Sequence, residues 1–178
     1  MKFLLFLLPM IAHAQTPLDR ELIVAAERGD VPAVQRLIKA GANVNAKDGK
    51  QDSAFLIASA RGRTEVVRLT LAAGADLRST NRYGGTGLIP ACHYGHLETV
   101  RLLLTTKIDV NHVNNLGWTA LLEAVILGNG GPIHVEIVRL LLAHGADPKI
   151  ADRDGVTALQ HARARNLTRI ADMLAKAG

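Results

Sequence analysis

The chain has 178 residues, 48% of them hydrophobic but only 3% aromatic, with a formal net charge of +5 and one cysteine. A lone cysteine excludes an intrachain disulfide. The charge carries no basic run of the kind that grips nucleic acid, so it suits an acidic protein partner or an anionic envelope surface.

The first element is an export signal. Lys2 is followed by FLLFLLPMI and then by Ala12-His13-Ala14. A cationic start, a short apolar core and an A-x-A site make a secretory signal peptide over residues 1–14. Cleavage after Ala14 leaves Gln15 first and removes one positive charge, Lys2. The apolar run is too short to span a bilayer, and Pro9 disfavours a regular anchor. No cysteine follows it to take a lipid, and no later stretch is apolar enough to be transmembrane. The expected location is therefore periplasmic or secreted, with a single functional domain over 15–178.

The rest of the chain is periodic. Gly29, Gly62, Gly95 and Gly128 recur at a step of 33 residues. A second set runs Gly41, Gly74 and Gly145, with Lys107 where its third member belongs. Such a step means one supersecondary unit copied and stacked. The first copy, 18–47, is a degenerate cap. Full copies follow over 48–80, 81–113 and 114–151, and a last one over 152–178. The final helix, LTRIADMLAKAG, is more polar than its counterparts, as a cap facing water should be. Within a copy, Thr86 or Thr119 can cap a first helix through its side-chain oxygen. Leu88, Ala91 and Cys92 form one apolar face of that helix, and Gly95 ends it. A second helix follows, with Val100, Leu103 and Leu104 on one side. Neither helix is long enough to be stable alone, so each must bury its stripe against the next copy.

Laid over one another, the copies resemble the ankyrin repeat. Gly84, Gly117 and Gly155 fill the turn glycine, and Thr86, Thr119 and Thr157 the helix-opening threonine. Glu65, Glu98 and Glu136 open the second helix. The stretches NRYGGTGLIPA and NHVNNLGWTALLEAVILG are similar in wording to a bacterial subgroup of these repeats. The resemblance implies an all-α ankyrin-repeat solenoid of about five helix-turn-helix repeats with short β-turn fingers. It also implies protein–protein interaction in place of catalysis, because stacked repeats make extended binding surfaces.

Chemistry-bearing residues are sparse. No serine lies in a nucleophile elbow, and NGG at 129–131 lacks the lysine of a phosphate loop. Cys92-His93 with His96 has a metal-like spacing. However, His96 and His134 fill the histidine of the repeat pattern, His144 sits at a helix end, and Cys92 takes a small core position. No cofactor, metal or catalytic group is expected. One polar pair breaks the pattern. The inner-helix column reads Val24, Ile57, Pro90, Glu123, His161, so Glu123 and His161 are stacked neighbours expected to touch. They read as a structural ion pair, or alternatively as the acid–base pair of an envelope enzyme. The five inserted residues NGGPI, 129–133, should lengthen the loop between the helices of the fourth copy. Pro90 should shift the start of its helix.

The resemblance also places a concave surface. Positions flanking the turn glycine, and those just before the inner-helix glycine, point toward it. Among them, Arg82, Tyr83, His93, Tyr94, Leu116, Trp118, Leu127 and Arg153 are the expected partner-binding residues. Tyr, Trp and Arg are the types enriched at binding hot spots. The alternative is that the aromatics only pack neighbouring fingers together. The expected molecule is a monomer that binds a periplasmic protein, whether to protect, inhibit or assist it.

Overall fold

A computed structural model describes residues 15–178; the expected signal peptide, 1–14, lies outside the described residues. Among the described residues ten helices follow one another as five pairs: α1 (Pro17–Arg28) and α2 (Val31–Lys39), α3 (Ala54–Ala60) and α4 (Thr64–Ala72), α5 (Leu88–His93) and α6 (Leu97–Leu104), α7 (Ala120–Ile126) and α8 (Pro132–Ala143), α9 (Ala158–Ala164) and α10 (Thr168–Ala177). The odd-numbered helices pack in series into an inner row, and the even-numbered ones into an outer row. No strand forms among the described residues; one isolated bridge joins Ala151 to Thr157.

The apolar periodicity explains the stacking. Leu88, Ala91 and Cys92 of α5 are fully buried, as are Val100 and Leu103 of α6. With their counterparts in the other pairs they form one continuous core from Leu22 to Leu174. Phe55 is part of it and fully buried. It stands where the other inner helices carry leucine, and the next helix makes room: a Cβ at Gly87 would lie 3.0 Å from Phe55 Cζ and 2.9 Å from Ser59 Oγ.

The helix starts follow from capping. Ser53, Thr119 and Thr157 each accept the backbone N–H three residues on. The expected cap by Thr86 does not form. Its hydroxyl is buried without a hydrogen-bond partner, and α5 starts one residue later, at Gly87–Leu88. Pro90 is the cause. In the other repeats the first helical bond is donated by Ile57, Glu123 or His161 to the carbonyl of the cap residue. Proline has no N–H to donate at that position.

The insertion 129–133 lengthens the loop between its two helices, to five residues where the other repeats from the second onward have three, and it also extends a helix. Pro132, Ile133 and His134 add to the front of α8, which reaches 12 residues where α4 has 9 and α6 has 8. Pro132 takes the first helical position, where its missing N–H costs nothing. The left-handed residue of this repeat consequently moves from Gly128 to Gly130, φ 69°. Gly128 is still needed for space, since a Cβ there would meet the Ala124 carbonyl oxygen at 2.2 Å.

Candidate functional site

The fingers between repeats share one construction. The side-chain oxygen of Asp48, Asn81, Asn114 or Asp152 accepts two backbone N–H groups, from the residues two and four positions on. These bonds hold each finger in a fixed turn. A second repeated bond ties neighbouring repeats. Arg63 Nε donates to the Glu27 carbonyl at 3.2 Å, His96 Nε2 to that of Ala60 at 3.1 Å, and His134 Nε2 to that of His93 at 3.0 Å. Each satisfies a carbonyl that a helix end leaves without an internal partner. His96 and His134 are therefore clamps between repeats. His144 Nδ1 likewise donates to the Leu140 carbonyl. Among the described residues no three His, Cys, Asp or Glu side chains converge as metal ligands. Cys92 is buried, and that burial pushes its thiol pKa up.

Between the fingers and the inner helices of the first four repeats lies a cavity of about 400 Å³. Six of the eight residues expected on the concave surface line it: Arg82, Tyr83, His93, Tyr94, Leu116 and Leu127. Tyr83 is 52% exposed and Tyr94 60%. Arg82 lies over the Tyr83 ring, 4.6 Å from its centroid, and reaches Asp52 at 3.4 Å. His93 stacks on Tyr94, with ring centroids 4.2 Å apart. The other two residues lie elsewhere. Trp118 is half-buried against the core and does not line the cavity. Arg153 is tied to the neighbouring finger, where its guanidinium donates to the Asn115 carbonyl.

The pairing of Glu123 with His161 is not formed. Each side chain turns back instead to the finger residue of its own repeat, nine positions earlier. Asn114 Nδ2 donates to Glu123 Oε1 at 3.1 Å, and His161 Nε2 donates to Asp152 Oδ2 at 2.7 Å. The chemistry is complementary in each repeat: an amide donor meets the carboxylate, and a carboxylate meets the imidazole. That complementarity at a nine-residue spacing was the signal in the sequence. The repeat-to-repeat column suggested the wrong partner because a bond within the repeat was already available to both. The neighbour that does approach Glu123 is His93, 3.6 Å from its second oxygen.

Glu123 also lines the cavity, although it is only 7% exposed. Burial raises its pKa to about 7, with the Asn114 bond opposing the shift. Burial also lowers the pKa of His93, and His134 adds to this. Both partners are thus pushed toward their neutral forms at neutral pH. Asp52, which lines the same cavity from the second repeat, has its pKa raised by burial and by Asp48, with Arg82 pulling it back.

A family model described as ankyrin repeats in three copies matches residues 22–114, 57–152 and 108–178. An ankyrin repeat domain from Acinetobacter baumannii AYE, solved by crystallography, superposes with a TM-score of 0.88 at 53% identity, covering 93% of this chain and 88% of that one. The ankyrin repeat protein EF0377 superposes with a TM-score of 0.86 at 38% identity, covering 93% and 86%. A putative ankyrin repeat protein of Escherichia coli K12, YahD, is 46% identical over 56 residues, 32% of this chain and 28% of its own length. The periodic glycines, the stacked helix pairs, the finger turns and these matches agree: the chain belongs to the ankyrin repeat family.

Proposed function

We propose that this protein is a non-catalytic binding module of the bacterial envelope. In this reading it is exported by residues 1–14 and acts as a monomer. It holds one periplasmic protein against its concave face, protecting, inhibiting or assisting it. The observation that carries the reading is the cavity. Tyr83, Tyr94, Leu116 and Leu127 are large, exposed and gathered on one surface of a chain that has few aromatics. Exposed apolar and aromatic groups clustered in a concavity mark a contact surface. The positive net charge steers encounter with acidic surfaces.

The test has two parts. N-terminal sequencing of the protein from the periplasmic fraction should begin at Gln15 or within a residue or two. Intact Met1 on cytosolic protein would reject the location. Affinity capture from periplasmic extract should then retain one protein on the wild type that is lost on Tyr94→Ala. Equal retention by both would remove the concave face from the reading.

A further inference from the structure

The cavity contains two aromatic platforms, and each leads to a carboxylate. At the first, Arg82 lies over Tyr83 and reaches Asp52. The chain here supplies its own arginine, flat on a tyrosine and directed at a buried acid. At the second, the Tyr94 ring stacks on His93, whose Nδ1 is 3.6 Å from Glu123 Oε2. Among the described residues no lysine or arginine pairs with Glu123; its neighbours are His93 and the Asn114 amide. Pro90 lies between the two sets in the inner-helix column and also lines the cavity.

We propose that this second platform receives an arginine side chain of the protein partner, its guanidinium paired with Glu123 and stacked beside Tyr94. The inference rests on the concave-face reading above and names the chemistry it selects. Charge complementarity supports it. Of the basic groups lining the cavity, Arg61 is engaged with Glu27 at 2.7 Å and Arg82 with Asp52. That leaves Asp48 and Glu123 against Lys50 alone, so an ionised Glu123 gives the cavity one carboxylate more than its lysines and arginines can pair. Guanidinium fits this site better than ammonium. It is planar, weakly hydrated and able to contact a carboxylate with two N–H groups, and it stacks on aromatic faces. Its methylene stem would lie along Leu127, four residues beyond Glu123 and also lining the cavity. A partner cation beside this carboxylate opposes the desolvation and favours its charged form.

The probe is acetyl-Gly-Arg-Gly-amide, titrated into the isotope-labelled mature protein and followed by NMR up to about 10 mM, the range suited to millimolar affinity. The citrulline peptide, isosteric and uncharged, and the lysine peptide serve as comparisons. Shifts should centre on His93, Tyr94 and Leu127. Affinity should fall about tenfold or more with the citrulline peptide, and by a similar factor in Glu123→Gln, as loss of a charge-assisted contact implies. Glu123→Gln keeps the shape of the side chain, and the peptide comparison on wild-type protein does not depend on that variant folding. No shift with the arginine peptide overturns the proposal, as does equal binding of the citrulline or lysine peptide, or unchanged affinity in Glu123→Gln. The broader reading is judged separately on the captured partner. Loss of that partner in Tyr94→Ala but not in Glu123→Gln overturns the arginine anchor and leaves the concave face as the binding surface.

Discussion

His93 Nδ1 lies 3.6 Å from Glu123 Oε2, joining α5 to α7 beside the cavity. The contact is between two groups that burial drives toward neutrality, with Glu123 raised to about 7 and His93 lowered. It therefore does not behave as a surface ion pair.

The pH dependence follows in sign. In the unfolded chain Glu123 loses its proton near the ordinary glutamate value of 4.5, while in the folded chain it keeps it to about 7. Between those values the unfolded state binds fewer protons, so stability falls as pH rises through the window and levels off above it. The loss is up to about 3 kcal/mol. Glu123→Gln should remove this slope, so the two proteins should diverge in urea midpoint between pH 5 and pH 8, with the variant more stable at the upper end. Parallel curves would mean that the carboxyl is solvated in the folded protein.

Pro90 should be replaceable with a gain. Pro90→Ala restores the N–H that the other inner helices donate to the cap residue, and it allows Thr86 to act as the cap. The expected change is about 1 kcal/mol of added stability, measured by chemical unfolding. A loss would show that the late start of α5 has a cause other than the missing donor.

Gly87 and Phe55 should behave as a coupled pair. Gly87→Ala puts a methyl against Phe55 and Ser59 and should cost about 1–3 kcal/mol, as overpacking does. Phe55→Leu in the same protein should recover part of that cost. A double-mutant cycle with no coupling would count against the exchange of volume between α3 and α5.

Leu103 and Leu174 are equally buried, at 0% and 1% exposure. Leu103 lies in α6, between α4 and α8, whereas α10 stacks on α8 alone in the outer row. Truncation to alanine should cost about 2–5 kcal/mol at Leu103, and less at Leu174, whose helix has an outer-row neighbour on one side. Equal urea-unfolding losses would contradict the role of α10 as a terminal cap.

Trp118 and Tyr94 should separate stability from binding. Trp118 packs on the core and Tyr94 is largely exposed. Trp118→Ala should lower thermal stability clearly. Tyr94→Ala should change it by about 0.5 kcal/mol or less, as for a surface site. The reverse order would return Trp118 to the binding surface.

The family pattern makes the repeat architecture and several residues of the concave surface legible in the sequence. A period of 33 residues with an apolar stripe on each short helix has one stable outcome, since no copy can bury its stripe alone. The same pattern separated core positions from free ones, and Arg82, Tyr83, His93, Tyr94, Leu116 and Leu127 do meet in one cavity. Other relationships needed the tertiary structure because they depend on competition for partners. Glu123 and His161 are stacked in the column, yet each had a complementary finger residue nearer at hand. Trp118 occupies a position that the pattern leaves free, but its size lets it reach the core. Thr86 matches the capping position, and only the backbone of α5 reveals that Pro90, which leaves the Thr86 carbonyl without the helical N–H its counterparts receive, delays the helix start by one residue. Sequence spacing fixes which residues can be neighbours. Which of those contacts form is decided by hydrogen-bond donors, side-chain volume and distance in the packed stack.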